Sequence, residues 1–346
     1  MNHPSRGILL FPSELSGRWV EQILRSGLER VGIHPAFPDG GTDCVQRLIE
    51  RLQESSFYTL LEALRSAGVI VEYELHAMSW LLPHGEFEQH PEWFRMNEEG
   101  RRVSDFNLCP SNEEALCFVE QSAERLAQLL PSLQSHRYFF WTDDNAAYCH
   151  CPRCRGLSSS DQALLIYNRI LAGVRRADSL ATQCYLAYQA TIPAPKSVRP
   201  NEGIFLEYAP IDRDSRFALE DSRIPQNAEQ TRALEELFQV FGRNGAQALD
   251  YWLDNSRFYG WRAPFGELPF YRSVLSQDAA FYRKRGFEVI TTFACCLGED
   301  YVGRYGLPPL IDYASLLTEA REKQGKTLLR MNDESECGAA TKSCKI

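Results

Sequence analysis

Apolar and polar positions along this chain alternate between two rhythms. Short apolar runs of strand type recur at 7–11, 32–37, 69–76, 137–142, 182–190, 203–209, 246–253 and 287–294. Between most of them lie longer stretches whose apolar residues return every three to four positions, at 17–30, 42–67, 112–130, 159–176, 226–243, 268–285 and 313–322. Strands alternating with helices predict a parallel sheet wrapped by helices. Eight such strands in one series predict a closed (β/α)8 barrel of TIM type. A doubly wound sheet would place a glycine-rich phosphate turn after its first strand, and no G-x-G-x-x-G follows 7–11. Thr42 and Asp43 are placed to cap the second helical stretch. Asn112 is placed to cap the one before the fourth strand, with Glu113 and Glu114 in its first turn. Residues 77–111 form a long irregular connection of the kind that carries function, and the Pro-rich 191–201 leaves no room for a helix. The barrel is expected to occupy 1–330, with 331–346, small and polar, as a loose tail. No internal repeat is visible.

Barrels of this type do their chemistry where the strands end at their C-terminal side. The first run ends near Glu14, the second at His34, the third at His76 and the fourth on the adjacent acids Asp143 and Asp144. The fifth ends near Tyr188 and Gln189, the sixth carries Glu207 and Tyr208, and the seventh leads through Asp250, Tyr251 and Trp252 to Asp254. Side-chain alternation puts Glu72, Glu74 and His76 on one face, either the barrel interior or the helix-covered exterior. Acids, histidines and rings at one rim suit a carbohydrate. Rings stack on sugar faces, and paired carboxylates carry out glycosidic cleavage. The expectation is therefore a glycoside hydrolase with Asp143 or Asp144 as general acid and Glu207 or Asp254 as second carboxylate. His34, His76, Tyr208 and Trp252 would line the substrate. Two carboxyl groups forced together should raise one pKa, which suits an acid catalyst. Each of these residues also has a plain structural use, since acids cap helices or pair with arginines and large rings pack. Two other functional classes fit the same residues. One is a carbohydrate-binding barrel without catalysis. The other is a metal-dependent hydrolase of a non-sugar substrate using His34, His76 and a strand-four aspartate, weakened because the first strand lacks H-x-H.

Cysteines add a second centre. Cys149, Cys151 and Cys154 form C-x-C-x-x-C, with Pro152 stiffening the turn. Three thiolates at this spacing suit one tetrahedral Zn2+ in a closed, structural site. Cys109 is the first choice for fourth ligand and His150 the second. Cys295 and Cys296 read as core thiols. With 346 residues, 44% of them hydrophobic, the chain can bury a large core. A net charge of −9 argues against general nucleic-acid binding, which needs a basic surface. No charged n-region followed by an apolar core opens the sequence, so the expectation is a cytoplasmic protein whose 11 cysteines are thiols or metal ligands rather than disulfides. No apolar run reaches the roughly 18 residues of a membrane span.

The segments His90-Pro-Glu-Trp-Phe with Gly100-Arg-Arg, Asn107-Leu-Cys-Pro-Ser-Asn112, and Asp143-Asp-Asn followed by Tyr148-Cys-His-Cys-Pro-Arg-Cys154 together carry a resemblance. They resemble an uncharacterised-function bacterial domain family of the glycoside hydrolase (β/α)8-barrel superfamily, frequent in carbohydrate-degrading bacteria, over about 69–210. The resemblance implies the barrel and a carbohydrate or glycoside substrate. Cys109, Cys149, Cys151 and Cys154 are similar to the zinc site of family 42 β-galactosidases, which implies a structural zinc. Asp143–Asp144 resembles the acid pair of family 84 hexosaminidases, where the substrate acetamide supplies the nucleophile. The family 42 pattern has a glutamate at the end of strand four and another at strand seven, where this chain offers Asp143 or Asp144 and Asp254.

Overall fold

Eight parallel strands close on themselves in the computed structural model, which describes residues 3–35, 44–105, 107–144 and 148–319. They are β1 (Ser5–Leu10), β2 (Arg30–Ile33), β3 (Ile70–His76), β4 (Arg137–Trp141), β5 (Thr182–Ala187), β6 (Ile204–Tyr208), β7 (Gln247–Asp250) and β8 (Val289–Thr292). Each pairs with the next in sequence, and β8 returns to β1 through Ser5 and Arg6. This is the (β/α)8 barrel that the alternating pattern predicts. Its strands are buried on both faces, which explains their near-continuous apolar runs.

The helices are α1 (Gly17–Ser26), α2 (Cys44–Arg51), α3 (Ser55–Ser66), α4 (Met78–Leu81), α5 (Glu113–Leu129), α6 (Ser159–Ala177), α7 (Pro225–Arg232), α8 (Leu234–Phe241), α9 (Asn255–Phe258), α10 (Arg272–Arg285), α11 (Glu299–Tyr305) and α12 (Leu310–Glu319). Two expected helices are broken. After α2 the backbone tightens to i→i−3 bonds, Gln53 N–H to Glu50 O and Glu54 N–H to Arg51 O, so α3 starts afresh. At Ala233, φ −90° and ψ 0°, α7 gives way to α8. The expected caps Thr42 and Asp43 and the tail 331–346 lie outside the described residues. Asn112 caps α5 as expected, accepting the Ala115 N–H. The Pro-rich 191–201 connection is fastened to α6. Asp161 completes the Ser158 capping box, and its Oδ1 accepts the N–H groups of Lys196, Ser197 and Val198. Among the described residues no helix is long and apolar enough to cross a membrane.

Glu72, Glu74 and His76 face the barrel interior, and the interior is polar in layers. At the N-terminal side Glu72 accepts from Arg30 at 2.8 Å and Ser135 at 2.7 Å, with Arg137 close by. Arg137 spans to the Gly245 carbonyl and to Gln247. In the middle layer Gln247 donates to Glu207 at 2.9 Å, and Glu207 also accepts the Trp141 indole N–H at 2.8 Å. Gly32 makes room for this layer, because a Cβ there would stand 2.7 Å from both Glu74 Oε1 and Leu9 Cγ.

Candidate functional site

The layer above, at the C-terminal side, is aromatic. The Trp141 ring ends β4 and packs beside two imidazoles, His34 at 5.5 Å and His76 at 5.1 Å between centroids. Phe293 meets His34 at 5.1 Å, and Tyr188, just past β5, lies 6.4 Å from His76. Each histidine is tied to a neighbouring strand through Nδ1, His34 to the Glu74 carbonyl at 2.7 Å and His76 to the Thr142 carbonyl at 2.6 Å. Burial, then the nearby His76, pushes the His34 pKa down to about 3, so this ring is neutral. The two imidazoles thus form part of the floor of the barrel mouth.

Beyond Trp141 the two acids diverge, as neighbours on an extended chain must. Asp143 is half-buried; its N–H donates to Asn107 Oδ1 at 2.9 Å and its carboxyl group receives the Ser79 N–H from α4. Burial, then the adjacent Asp144, raises the Asp143 pKa to about 7. Asp144 is exposed and accepts the Tyr188 hydroxyl at 2.7 Å. Asp143 and Tyr188 line one cavity of about 10 Å³, the space of a single water, with Thr142, Tyr148 and Gln189 among its other walls.

The other residues singled out in the sequence lie in different surroundings. Glu207 has no exposed surface and sits below Trp141, in the polar layer it shares with Glu74 and Gln247. Asp254 is closer to the mouth, buried, and caps the start of α9 by accepting both the N–H and hydroxyl of Ser256. Burial raises its pKa. Tyr208 points the other way from Glu207, out of the barrel, and donates to the Gln230 carbonyl under the helices. Trp252 packs against Tyr282 and Tyr313 and donates to Asp278, within the buried Arg213–Asp250–Asp278 network. His34, His76, Asp143 and Asp144 are therefore brought together, with Asp254 on the β7 side; Glu207, Tyr208 and Trp252 are not in that group. Trp141 and Tyr188 are part of it, although the sequence assigned neither a role. Glu14 ties the β1 and β8 loops, accepting the Leu297 N–H at 2.8 Å, and burial raises its pKa to about 7.

Beside this mouth Cys109, Cys149, Cys151 and Cys154 converge, all buried and all free thiols, with their sulfur atoms within 4.8 Å of one another. Cys109 Sγ lies 3.7 Å from Cys151 Sγ and 3.8 Å from Cys154 Sγ. Four thiolates about 2.3 Å from a tetrahedral ion stand about 3.8 Å apart, so the donor set and its spacing fit a metal of that geometry. Cys109, not His150, is the fourth member; His150 is exposed and faces Glu98. The cluster binds the loop 93–112 to the loop after β4. Met96 N–H donates to Cys149 Sγ, His150 N–H to the Met96 carbonyl, and Asn107, two residues from Cys109, holds Asp143.

The sequence matches the model of a domain of unknown function, DUF4838, over residues 50–292. No curated protein matches it. Among solved structures it is similar to a β-galactosidase from the psychrophilic Marinomonas ef1 (TM-score 0.55, 12% identity, 94% of this chain and 60% of that one). It is also similar to the GH42 β-galactosidase Gan42B (TM-score 0.52, 10% identity, 94% and 57%) and to a family 5 xyloglucanase from Paenibacillus pabuli (TM-score 0.50, 8% identity, 92% and 98%). At these identities the likeness is one of fold, the (β/α)8 barrel. The chain spans about 60% of the length of the Marinomonas enzyme.

Proposed function

The chain belongs to the DUF4838 family, and from that premise we propose that it is a glycoside hydrolase whose proton donor is Asp143. The observation that carries this reading is a carboxyl group at the barrel mouth, half-buried beside a second acid, with its pKa raised to about 7. A leaving sugar oxygen needs a donor that still holds its proton near neutral pH. The fold likeness to β-galactosidases and a xyloglucanase supports a carbohydrate as substrate. His34 and His76 would meet the sugar, with Trp141 packed against both rings beneath them. Of the two expected second carboxylates, Asp254 is the better placed, because Glu207 is sealed beneath Trp141.

The cysteine cluster supports zinc as the cofactor, since four thiolates and no open position describe a structural site. Zinc held by Cys109, Cys149, Cys151 and Cys154 would cross-link the two loops that frame Asp143. The metal-hydrolase reading finds no support, because among the described residues only these four cysteines stand close enough together to hold an ion.

The test is turnover of a glycoside panel by the wild-type chain and by Asp143→Asn. The expected outcome is a loss of about a hundredfold or more on substrates with poor leaving groups and a smaller loss on dinitrophenyl glycosides, which need no proton to depart. Unchanged rates in Asp143→Asn would remove Asp143 from the reaction. Sugar binding without turnover by the wild-type chain would instead leave a carbohydrate-binding barrel.

A further inference from the structure

A retaining hydrolase that uses Asp143 as acid also needs a protein group to meet the anomeric carbon. Glu207 is enclosed by Trp141 and Gln247. Asp254 Oδ1 is held by Ser256 at the start of α9, and Asp254 does not line the cavity that Asp143 lines. Two phenols share the Asp143 cavity, those of Tyr148 and Tyr188, and Tyr188 is the one whose hydroxyl meets an acid. Its hydroxyl already donates to Asp144 at 2.7 Å, and it accepts from Gln189 Nε2 at 3.2 Å, which leaves one lone pair free. A nucleophile hydrogen-bonded to its base, with the base oriented toward it, is the arrangement covalent catalysis requires.

The backbone is built to hold this phenol. Gln189 sits at φ 47°, a left-handed conformation that side-chain-bearing residues adopt only under constraint. It opens a single 3-10 turn, Gln189–Thr191. Thr191 Oγ1 accepts the Tyr188 N–H at 3.0 Å and lies 2.8 Å from the Leu186 and Tyr188 carbonyls. The chain is thereby turned sharply as it leaves β5, with the Tyr188 ring over the mouth beside His76.

We propose that Tyr188 is the nucleophile of a retaining glycosidase reaction, with Asp144 as its base and Asp143 as the acid; this rests on the hydrolase reading above. In the first step Tyr188 Oη bonds to the anomeric carbon while the glycosidic C–O bond breaks. That bonding pair goes to the leaving oxygen, which takes the Asp143 proton, and the phenol proton passes to Asp144. In the second step Asp143, now a carboxylate, takes a proton from water as the water oxygen attacks the anomeric carbon. The bond to Tyr188 breaks, its pair returns to Oη, and Asp144 gives the proton back. The sum is hydrolysis, with every protein group restored. Tyrosine serves in this way in a minority of glycosidases.

The experiment uses the full chain and a panel of dinitrophenyl fluoroglycosides, which form glycosyl-enzymes quickly and release them slowly. The expected result is a mass increase of one fluorosugar that maps to the peptide holding Tyr188, is absent in Tyr188→Phe, and accompanies retained anomeric configuration by NMR. Turnover of Tyr188→Phe should fall about a thousandfold or more with its thermal transition unchanged. Asp144→Asn, which keeps the phenol but removes its base, should label more slowly at the same site. An adduct on Asp254 or another carboxylate, inverted product, or wild-type turnover in Tyr188→Phe would overturn the assignment and leave the hydrolase standing. Absence of turnover on every glycoside by the folded wild-type chain would remove both.

Discussion

Asp143 and Asp144 are legible in the sequence because two acids end an apolar strand, and the structure gives them unlike surroundings. If Asp143 acts as acid, activity is present while it holds its proton and is lost as pH rises through about 7. A rate profile whose basic limb is unmoved in Asp143→Glu or Asp143→Asn would contradict that origin. Trp141 offers a second check. Its indole is a partner of a fully enclosed Glu207, so Trp141→Phe should cost about 1–3 kcal/mol in urea unfolding by leaving that carboxyl short of a donor. Tyr208 could have been placed correctly from the sequence. With Glu207 facing inward, alternation sends its neighbour toward the helices. Trp252 offered no such signal, because it lies past the end of β7 where strand alternation no longer applies. The partnership of Tyr188 with Asp144 joins residues 44 apart and could not be read from either local pattern.

The loops after β3 and β4 form one element once the cysteines are joined. C-x-C-x-x-C announced three of the four, and Cys109 completes the set because loop 93–112 folds back against the turn after β4. Chelation, or Cys109→Ser, should expose cleavage sites within 93–112 and 148–157 in limited proteolysis while the far-ultraviolet circular dichroism of the barrel persists. Purified protein should carry about one equivalent of zinc. Asp161 is the corresponding fastener on the next loop. Asp161→Ala should destabilise by about 1–3 kcal/mol, since it removes a helix cap and the acceptor for three backbone N–H groups at once. Ser158 with an acid three residues on carries a capping spacing that the sequence analysis did not use; the reach of Asp161 across to 196–198 has no such local signal, because a Pro-rich stretch with no periodicity gives no hint of where its N–H groups go.

Over the whole molecule the alternation of strand and helix signals foretold the closed barrel, and the misplaced boundaries lie where local turns, not periodicity, decide. What the apolar pattern concealed is the charge inside. Glu72, Glu74 and Glu207 stand within the ring of strands, and Arg30 and Arg137 are the cations found facing them among the described residues. Burial, then Glu207 and Glu72, drives the Glu74 pKa well above its ordinary value, and burial raises that of Glu207. The folded chain therefore keeps protons that these carboxyl groups surrender when unfolded. For such groups stability is fullest below the ordinary glutamate range, near pH 4.5, and declines as pH rises toward 7. Closing this barrel is thus a reaction that takes hydrogen ions from the medium. Refolding in a weakly buffered solution near pH 6 should turn it measurably more alkaline, and Glu74→Gln should shrink that uptake.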